Sequence, residues 1–465
     1  MSLNKIAFFD IINDNMPIIA SFNSCDIGIS SGLVSKCGYL GDIQIDLDNE
    51  KVTDKVDTIK SLCTLQSVIL TGLKVNSNDD DLVTPLLDNG LRIAFFDYDE
   101  NTNIDNQLEL FKTFPKERIG IRFNTTTTTT IKENIIDIFN QFKSVCSNIC
   151  ITSNNNIDNN CNEIEEYTNL FVNHAKEKEN ERNNYFLHLS TAKASSYDII
   201  CSNTNRHHNV FVTVSPVLYE TDESGSSLLD EDKGHTVIGT KDAVDILGVY
   251  ISCLRTDRPD GLYTTVVCDE MGVCLGLVYS NKQSIRHSII SGRGTYWSRS
   301  RGGLWKKGET SGAIQSLIDI AYDCDGDALR YRVIQQGNPP AFCHLNTRTC
   351  WGEARGLQHL QSTLQSRLAN APTGSYTKRL FDDPSLLRKK LLEEVQELVE
   401  AEESDHIAAE AADVTYFMMV RCIAGGVGLS DIERHLDKRS VKVSRRPGNA
   451  KAWRTADAEK TLSDK

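Results

Sequence analysis

Between Tyr322 and Trp351 the chain reads YDCDGDALRYRVIQQGNPPAFCHLNTRTCW, its densest run of metal-ligating side chains. Asp323, Asp325 and Asp327 alternate with other residues, and Cys324 stands among them. An extended segment puts the three carboxylates on one face and Cys324 on the other. Carboxylate oxygens suit Mg2+, and thiolates suit Zn2+. A calcium EF-hand loop needs glycine at position 6 and glutamate at position 12. Counted from Asp323, those positions hold Ala328 and Ile334, so that reading fails. Cys343 and Cys350 lie in a run with Asn338, Pro339, Pro340 and Asn346, the composition of a loop rather than of a core. Three cysteines with one open position is the arrangement of a catalytic zinc site, where bound water titrates near neutrality. His344 is then either a proton-transfer partner or a support for a ligand. The competing readings are an exposed acidic turn and reduced core thiols.

A second set of carboxylates lies further on. Leu386–Glu403 and His406–Ile423 have the apolar periodicity of two long helices. Glu393, Glu394 and Glu397 share roughly one face of the first, and Glu410 and Asp413 one face of the second. Antiparallel packing would join them into a cage for Mg2+ on a polyphosphate. A solvated acidic face has the same charges. Its apolar neighbours Leu391, Leu392, Val395 and Leu398 argue for partial burial, and buried carboxylates need a cation.

The stretch GRGTYWSRSRGGLWKKGETSG (292–312) mixes Arg, Lys, Ser, Thr and Gly with Tyr296, Trp297 and Trp305. Such a mixture suits a phosphorylated aromatic ligand: Arg and Lys pair with phosphate, and Gly lets the backbone approach. Arg293, Trp297, Arg299, Arg301, Lys307, Glu309, Thr310 and Ser311 are the candidate binding residues. An exposed basic hairpin has the same composition.

These groups need elements to hold them. Tyr263–Cys268 and Cys274–Tyr279 read as strands of a hairpin turned by DEMG, and Ser284–Ile290 as a short helix. Leu357–Leu368 reads as a helix ending before the Ala371-Pro372-Thr373-Gly374 turn. Upstream, Ile6–Phe9, Ser67–Leu70, Arg92–Phe96, Ile119–Arg122 and Ile149–Thr152 are strand-like. Between several of them lie amphipathic stretches such as Ile131–Val145. That alternation predicts βα units around a largely parallel sheet. The tract Thr125–Thr130, the asparagine-rich Ser153–Asn162 and the polar Lys176–Asn184 read as expanded surface loops. No GxGxxG, Walker motif or paired metal-ligand spacing occurs before Glu220–Lys233, an acidic linker. His207 and His208 read as a solvent-facing pair.

With 465 residues, 40% hydrophobic and 25% charged, the chain is long enough for about three soluble domains. The net charge of −14 argues against a general nucleic-acid binder, and no apolar run reaches the ~18 residues of a membrane span. The first residues make a poor signal peptide. The fourteen scattered cysteines therefore read as reduced thiols of a cytoplasmic protein. The expected fold is multidomain. It comprises an α/β domain of unknown role (1–235), a β-rich α+β domain (249–355), an all-α domain (356–445) and a tail (446–465).

The pieces RTDRPDGLYTT (255–265), LGLVYS (275–280), GRGTYWSRSR (292–301), LWKKGETSG (304–312), DCDGDAL (323–329) and the Cys343/Cys350 pair carry a family resemblance. Together they resemble phosphoribosyl-AMP cyclohydrolase. The resemblance implies hydrolytic opening of the purine six-membered ring of phosphoribosyl-AMP in histidine biosynthesis. It implies Mg2+ on Asp323, Asp325 and Asp327, and Zn2+ on Cys324, Cys343 and Cys350. It further implies a homodimer that shares the zinc site. The chain departs from the usual Cys-His-Thr-Gly, reading Cys343-His344-Leu345-Asn346, and its spacing from Cys324 to Cys343 is longer.

The EExxE…ExxD spacing with SYT upstream, over about 357–440, resembles phosphoribosyl-ATP pyrophosphohydrolase. This implies cleavage between the α and β phosphates of phosphoribosyl-ATP. Glu393, Glu394, Glu397, Glu410 and Asp413 are then Mg2+ ligands, and Lys378 and Arg379 phosphate contacts. The product of the one reaction is the substrate of the other. The order of parts resembles the front of the fungal multifunctional histidine biosynthesis family, and a chain without its histidinol dehydrogenase part is expected. The N-terminal region is expected to be a degenerate βα-barrel fragment kept for assembly or stability. The rivals are a scaffold with structural zinc and a nucleotide-pool pyrophosphohydrolase of broader substrate range.

Overall fold

The computed structural model describes residues 18–23, 37–38, 40, 43–47, 56–65, 67–74, 80–124, 134–153, 167, 169–171, 173–174, 183–189, 210–214, 216–219, 237–238, 244–252, 254–323, 326–352 and 355–444. The expected strand Ile6–Phe9, the threonine tract Thr125–Thr130, the histidine pair and the whole of the acidic linker lie outside them. Eight parallel strands form the N-terminal region: β1 (Ile18–Asn23), β2 (Ile43–Asp46), β3 (Val68–Lys74), β4 (Leu91–Asp97), β5 (Ile119–Asn124), β6 (Asn148–Ser153), β7 (Asn184–Leu189) and β8 (Val210–Val214). They pair in sequence order, and β1 closes on β8 with Ala20 opposite Val214. The described strands thus complete a closed barrel, not the fragment expected. Helices α1 (Val56–Leu65), α2 (Asp80–Asp88), α3 (Ile104–Phe111) and α4 (Ile135–Phe142) connect successive strands.

Period-two alternation explains the barrel's two faces. Leu70, Ala94, Phe96, Ile121, Ile149 and Ile151 join the main core with Phe111, Phe139 and Phe142 of the helices. Ile69, Ile93, Phe95, Cys150 and Phe186 form a separate cluster inside the barrel. A Cβ on Gly120 would lie 2.2 Å from the Phe95 ring, so glycine gives that ring its place against Phe186. Towards the C-terminal strand ends the interior turns polar. Arg122 donates to both Asp46 oxygens at 2.9 Å and to Asp97 at 2.5 and 3.0 Å. Burial alone would lower the guanidinium pKa, but its bonds to Asp97 and the charges of both carboxylates raise it.

A small sheet, β9 (Pro216–Tyr219), β10 (Val237–Ile238) and β11 (Val244–Asp245), leads to α5 (Ile246–Ser252). The next sheet has the order β13-β12-β17-β16. These strands are β12 (Tyr263–Cys268), β13 (Cys274–Ser280), β16 (Gln315–Tyr322) and β17 (Ala328–Gln335). Between β13 and β16 lie α6 (Lys282–Ser291), closed by a capping box of Asn281 and Ser284, and the hairpin β14 (Thr295–Ser298)/β15 (Gly303–Lys306). Tyr250 of α5 stacks on Tyr322 at 5.2 Å, seating the barrel's exit on this sheet.

Five helices complete the chain: α7 (Gly356–Asn370), α8 (Tyr376–Asp382), α9 (Pro384–Glu400), α10 (Ser404–Ala424) and α11 (Leu429–Ser440). Leu364, Leu380, Leu387, Phe417, Met419, Val420 and Ile423 are their core. The segment after α11 returns to the barrel. Arg118 donates to Val441 O at 2.9 Å, and Asp88 accepts from the N–H groups of Val443 and Ser444 at 2.8 and 3.0 Å. Among the described residues, no single helix is long and apolar enough to cross a membrane.

Replacing Arg122 by Met removes the guanidinium that bridges buried Asp46 and half-buried Asp97. The expected loss is about 3–5 kcal/mol, read as faster hydrogen exchange in β4–β6. Adding Asp46→Asn and Asp97→Asn to the same chain should restore much of it.

Candidate active sites

The sheet holds the first site. At its described residues, Asp323, Gly326 and Asp327, the connection between β16 and β17 is held as a turn, Asp323 N–H donating to Ala328 O at 3.0 Å, where alternation suggested an extended segment. The strand ends at Tyr322 because Asp323 Oδ1 accepts from the N–H groups of Gly326, Asp327 and Ala328 at 3.0–3.1 Å. Gly326 has φ +79°, which favours glycine. Asp323 and Asp327 are exposed; Cys324 and Asp325 lie outside the described residues.

Cys343 and Cys350 belong to one loop. Cys343 N–H donates to Thr347 O at 3.1 Å, and Cys350 N–H donates to Leu275 O at 2.8 Å. The Leu345 N–H holds the Cys343 thiol below its ordinary range, helped by Thr347 and Cys350. Burial pushes Cys350 up, and so does its neighbour Cys343. Cys343 is therefore the readier thiolate. His344 Nδ1 is 3.8 Å from the Cys343 sulfur, and its residue is exposed.

The two halves of this ligand set stand at opposite ends of the sheet. Ala328, beside the aspartate turn, pairs with Thr264 near the start of β12. Leu275, which anchors Cys350, lies next to Cys274, the register partner of Cys268 at the other end. Four residues of strand separate the two positions, about 13 Å at a strand's rise. One subunit therefore does not bring the turn to the cysteine loop.

Lys307, just past β15, bridges to this loop. Its ammonium donates to Phe342 O at 2.6 Å and lies over the Phe342 and Trp305 rings. Burial lowers its pKa, against the pull of the Cys350 and Cys343 thiols. Arg299 stacks on Tyr279 at 4.0 Å, and Arg258 lies over the same ring at 4.4 Å. Arg293, Arg299, Arg301, Glu309, Thr310 and Ser311 are exposed, and Trp297 is half-buried. Tyr279, Arg258 and Asp269 were not singled out from sequence. Arg258 sits in the RTDRPDG piece, and Asp269 heads the DEMG turn. Fully buried Asp269 accepts from Met271 N at 3.1 Å, Val273 N at 2.9 Å and Arg348 Nη2 at 2.9 Å, and from the Gln358 amide of α7.

The second site lies between α9 and α10. Oxygens of Glu394, Glu397 and Glu410 come within 4.8 Å of one another. Glu394 is buried, Glu410 half-buried and Glu397 exposed. Glu410 Oε2 is shielded from solvent and has no hydrogen-bond partner, the situation a cation resolves. Desolvation raises the Glu397 pKa, and the charges of Glu394, Glu410 and Glu393 add to it. Glu393 turns to Lys390, which bridges it to Glu394 at 2.9 Å each. Asp413 is exposed and outside the close set. Lys378 pairs with Asp382 at 2.8 Å, and Arg379 is exposed. Lys390, missed from sequence, stands three and four residues before the glutamates it neutralises, a spacing that marks helix ion pairs.

A thiol loop with a nearby lysine and a carboxylate trio with an unsatisfied oxygen are two separate candidate sites on one chain. Each lies in a region that a family model matches. Residues 276–352 match the model of phosphoribosyl-AMP cyclohydrolase, and residues 357–440 match that of phosphoribosyl-ATP pyrophosphohydrolase. The histidine biosynthesis bifunctional protein HisIE of Thermus thermophilus is 35% identical over 203 residues, 41% of this chain and 93% of that protein. The chain thus belongs to the family of bifunctional cyclohydrolase–pyrophosphohydrolases of histidine biosynthesis. The bifunctional protein his7 of Schizosaccharomyces pombe is 53% identical over 200 residues, 43% of this chain. The trifunctional protein of Kluyveromyces lactis is 54% identical over 202 residues, also 43% of this chain. The chain spans 47% and 25% of the length of those two fungal relatives. Neither family model reaches the barrel strands.

The carboxylate trio generates a pH prediction. A cation binds the ionised trio, and Glu397 takes up its proton at a higher pH than an ordinary glutamate at 4.5. Affinity for Mn2+, followed by calorimetry, should begin to fall at a pH above that value. Stabilisation of the chain by added metal should fade over the same range. In Glu397→Gln the affinity should be weaker and this portion of the pH dependence absent.

Proposed function

We propose that the chain catalyses two consecutive hydrolyses. Phosphoribosyl-ATP is cleaved between its α and β phosphates at the helical site, releasing pyrophosphate. The resulting phosphoribosyl-AMP has its purine six-membered ring opened by water at the sheet site. The observation that carries this reading is the pairing of the two centres, in order, within the two matched family regions.

Glu394, Glu397 and Glu410 would hold Mg2+, with Glu393 and Asp413 reaching it once substrate is bound. When bound, such an ion would supply neutralisation of phosphate charge and orientation of water. Lys390 restrains Glu393 and Glu394 until the cation takes their charge. Lys378 and Arg379 face the phosphates from α8.

At the sheet, Cys343 and Cys350 fit zinc by donor type and by the lowered Cys343 thiol. When bound, zinc supplies an activated water. Cys324 would come from the partner subunit, since the aspartate turn and the cysteine loop stand at opposite ends of one sheet. Asp323, Asp325 and Asp327 would hold Mg2+ beside the ribose phosphate. His344, beside Cys343, moves the proton. Arg293, Arg299 and Arg301 pair with phosphate, with Glu309, Thr310 and Ser311 filling its remaining contacts. Trp297 lies against the base, and Lys307 fixes the cysteine loop against the hairpin. A homodimer also accounts for α9, where Leu392, Val395 and Val399 are 55%, 41% and 69% exposed along one stripe.

Purified chain supplied with Mg2+ and Zn2+ should convert phosphoribosyl-ATP into pyrophosphate and the ring-opened ribotide, identified by mass. Glu410→Gln should release little pyrophosphate. His344→Asn should still release it but accumulate phosphoribosyl-AMP, with ring opening slowed by about a hundredfold or more. Hydrolysis of ordinary nucleoside triphosphates at the same rate would refute the substrate assignment. Val395→Lys/Val399→Lys should shift the chain from dimer to monomer in light scattering and lower the activity of the helical site.

A further inference from the structure

The barrel and the last helix enclose a cleft of about 500 Å³. One wall is Thr84, Pro85, Asp88 and Asn89, at and just past the end of α2. The other is His435, Lys438, Arg439 and Lys442, on and after α11. None of these residues belongs to the carboxylate trio or the cysteine loop. The volume lies within the range of small-ligand sites.

The charge in this cleft is predominantly positive, three cationic side chains against one carboxylate. Among the described residues, Lys438, Arg439 and Lys442 make no ion pair within 4.0 Å of a carboxylate. The one acid on the wall, Asp88, stays ionised but turns its oxygens to Val443 N–H, Ser444 N–H and the Ser444 hydroxyl; these bonds and the charge of Lys442 hold its pKa below the ordinary range despite burial. Basic residues in a final helical turn commonly offset the helix dipole. That explains Lys438 and Arg439 on α11, but not Lys442, which lies beyond the helix, nor the barrel wall set across from them.

The cleft is also built rather than incidental. Buried Arg118 donates to Leu87 O at 3.2 Å on the barrel side and to Val441 O at 2.9 Å on the helical side. Burial pushes its pKa down to about 10, yet it has only carbonyl partners here. Together with Asp88 it fixes the distance between the two walls.

We propose that this cleft is a binding site for a small polyphosphate anion, with inorganic pyrophosphate as the ligand. It is separate from the hydrolytic site and present only when barrel and helical domain are joined. Lys438, Arg439 and Lys442 supply charge-assisted bonds to phosphate oxygens. Thr84 and Asn89 supply neutral donors from the barrel. The proposal does not depend on the substrate assigned to the carboxylate trio.

The test is calorimetric binding of inorganic pyrophosphate to the full chain in Mg2+-free buffer with chelator, where the carboxylate trio repels the anion. One site per chain is expected, weakening as salt is raised. Lys438→Ala/Arg439→Ala should cost at least about tenfold in affinity. Asn89→Glu should do the same from the barrel side, and Asn89→Gln should not. Because Asn89 is exposed, those two variants keep the test valid if the double variant misfolds. Glu394→Gln/Glu397→Gln should leave this affinity unchanged. Loss of binding in the glutamate variant alone, or no binding at millimolar pyrophosphate, would overturn the proposal. Binding of ATP without pyrophosphate would also overturn it, since the base rather than the polyphosphate would then be recognised.

Discussion

The Asp269 carboxylate is the constraint on which both candidate sites depend. It sits fully buried in the turn after β12, and all its partners are donors. Met271 and Val273 N–H groups shape the hairpin. Arg348 belongs to the loop carrying Cys343 and Cys350. Gln358 lies in the first turns of α7, where the helical domain begins. A buried carboxylate without such partners costs several kcal/mol, so each donor is held where the charge requires it. The cysteine loop is thereby pinned to the sheet, and the helical domain to the same point.

The helical domain is fastened again at its far end. Arg118 and Asp88 of the barrel take the backbone of Val441, Val443 and Ser444. Barrel, sheet and helices thus form a closed circuit: the barrel exits through Tyr250 onto the sheet, the sheet holds α7 through Asp269, and α11 returns to the barrel. The contacts at both joints are charged groups meeting backbone or amide partners. Such bonds fix geometry through direction, whereas apolar contact alone fixes only proximity.

Much of this was legible in the sequence where one local rule governs. The helix pair α9 and α10 follows from apolar periodicity, and three of its five candidate carboxylates converge. Glu393 and Asp413 stand apart because Lys390 claims the first and the second turns to solvent. The β12/β13 hairpin and four of the eight described barrel strands, β3 to β6, followed from short apolar and β-branched runs. An extended run from Asp323 finds no support at its described residues, where Asp323 takes the N–H groups of Gly326, Asp327 and Ala328, the habit of aspartate in turns. Barrel closure was not legible, since pairing of β1 with β8 spans nearly two hundred residues and leaves no local signal. Asp269 was missed for the same reason: its side-chain partners, Arg348 and Gln358, lie 79 and 89 residues away.

The barrel's described polar residues are engaged largely with one another and with the end of the helical domain. Its C-terminal strand ends are where such barrels place function, and the layer there is charged. Yet Arg122 is spent on Asp46 and Asp97, four bonds that leave its guanidinium little to offer a ligand. The groups that reach another domain, Arg118 and Asp88, stand at the opposite end, where conservation of shape rather than chemistry is needed. The described charged layer is thus paired within the barrel, while the base of the barrel is joined to the segment that follows the last helix.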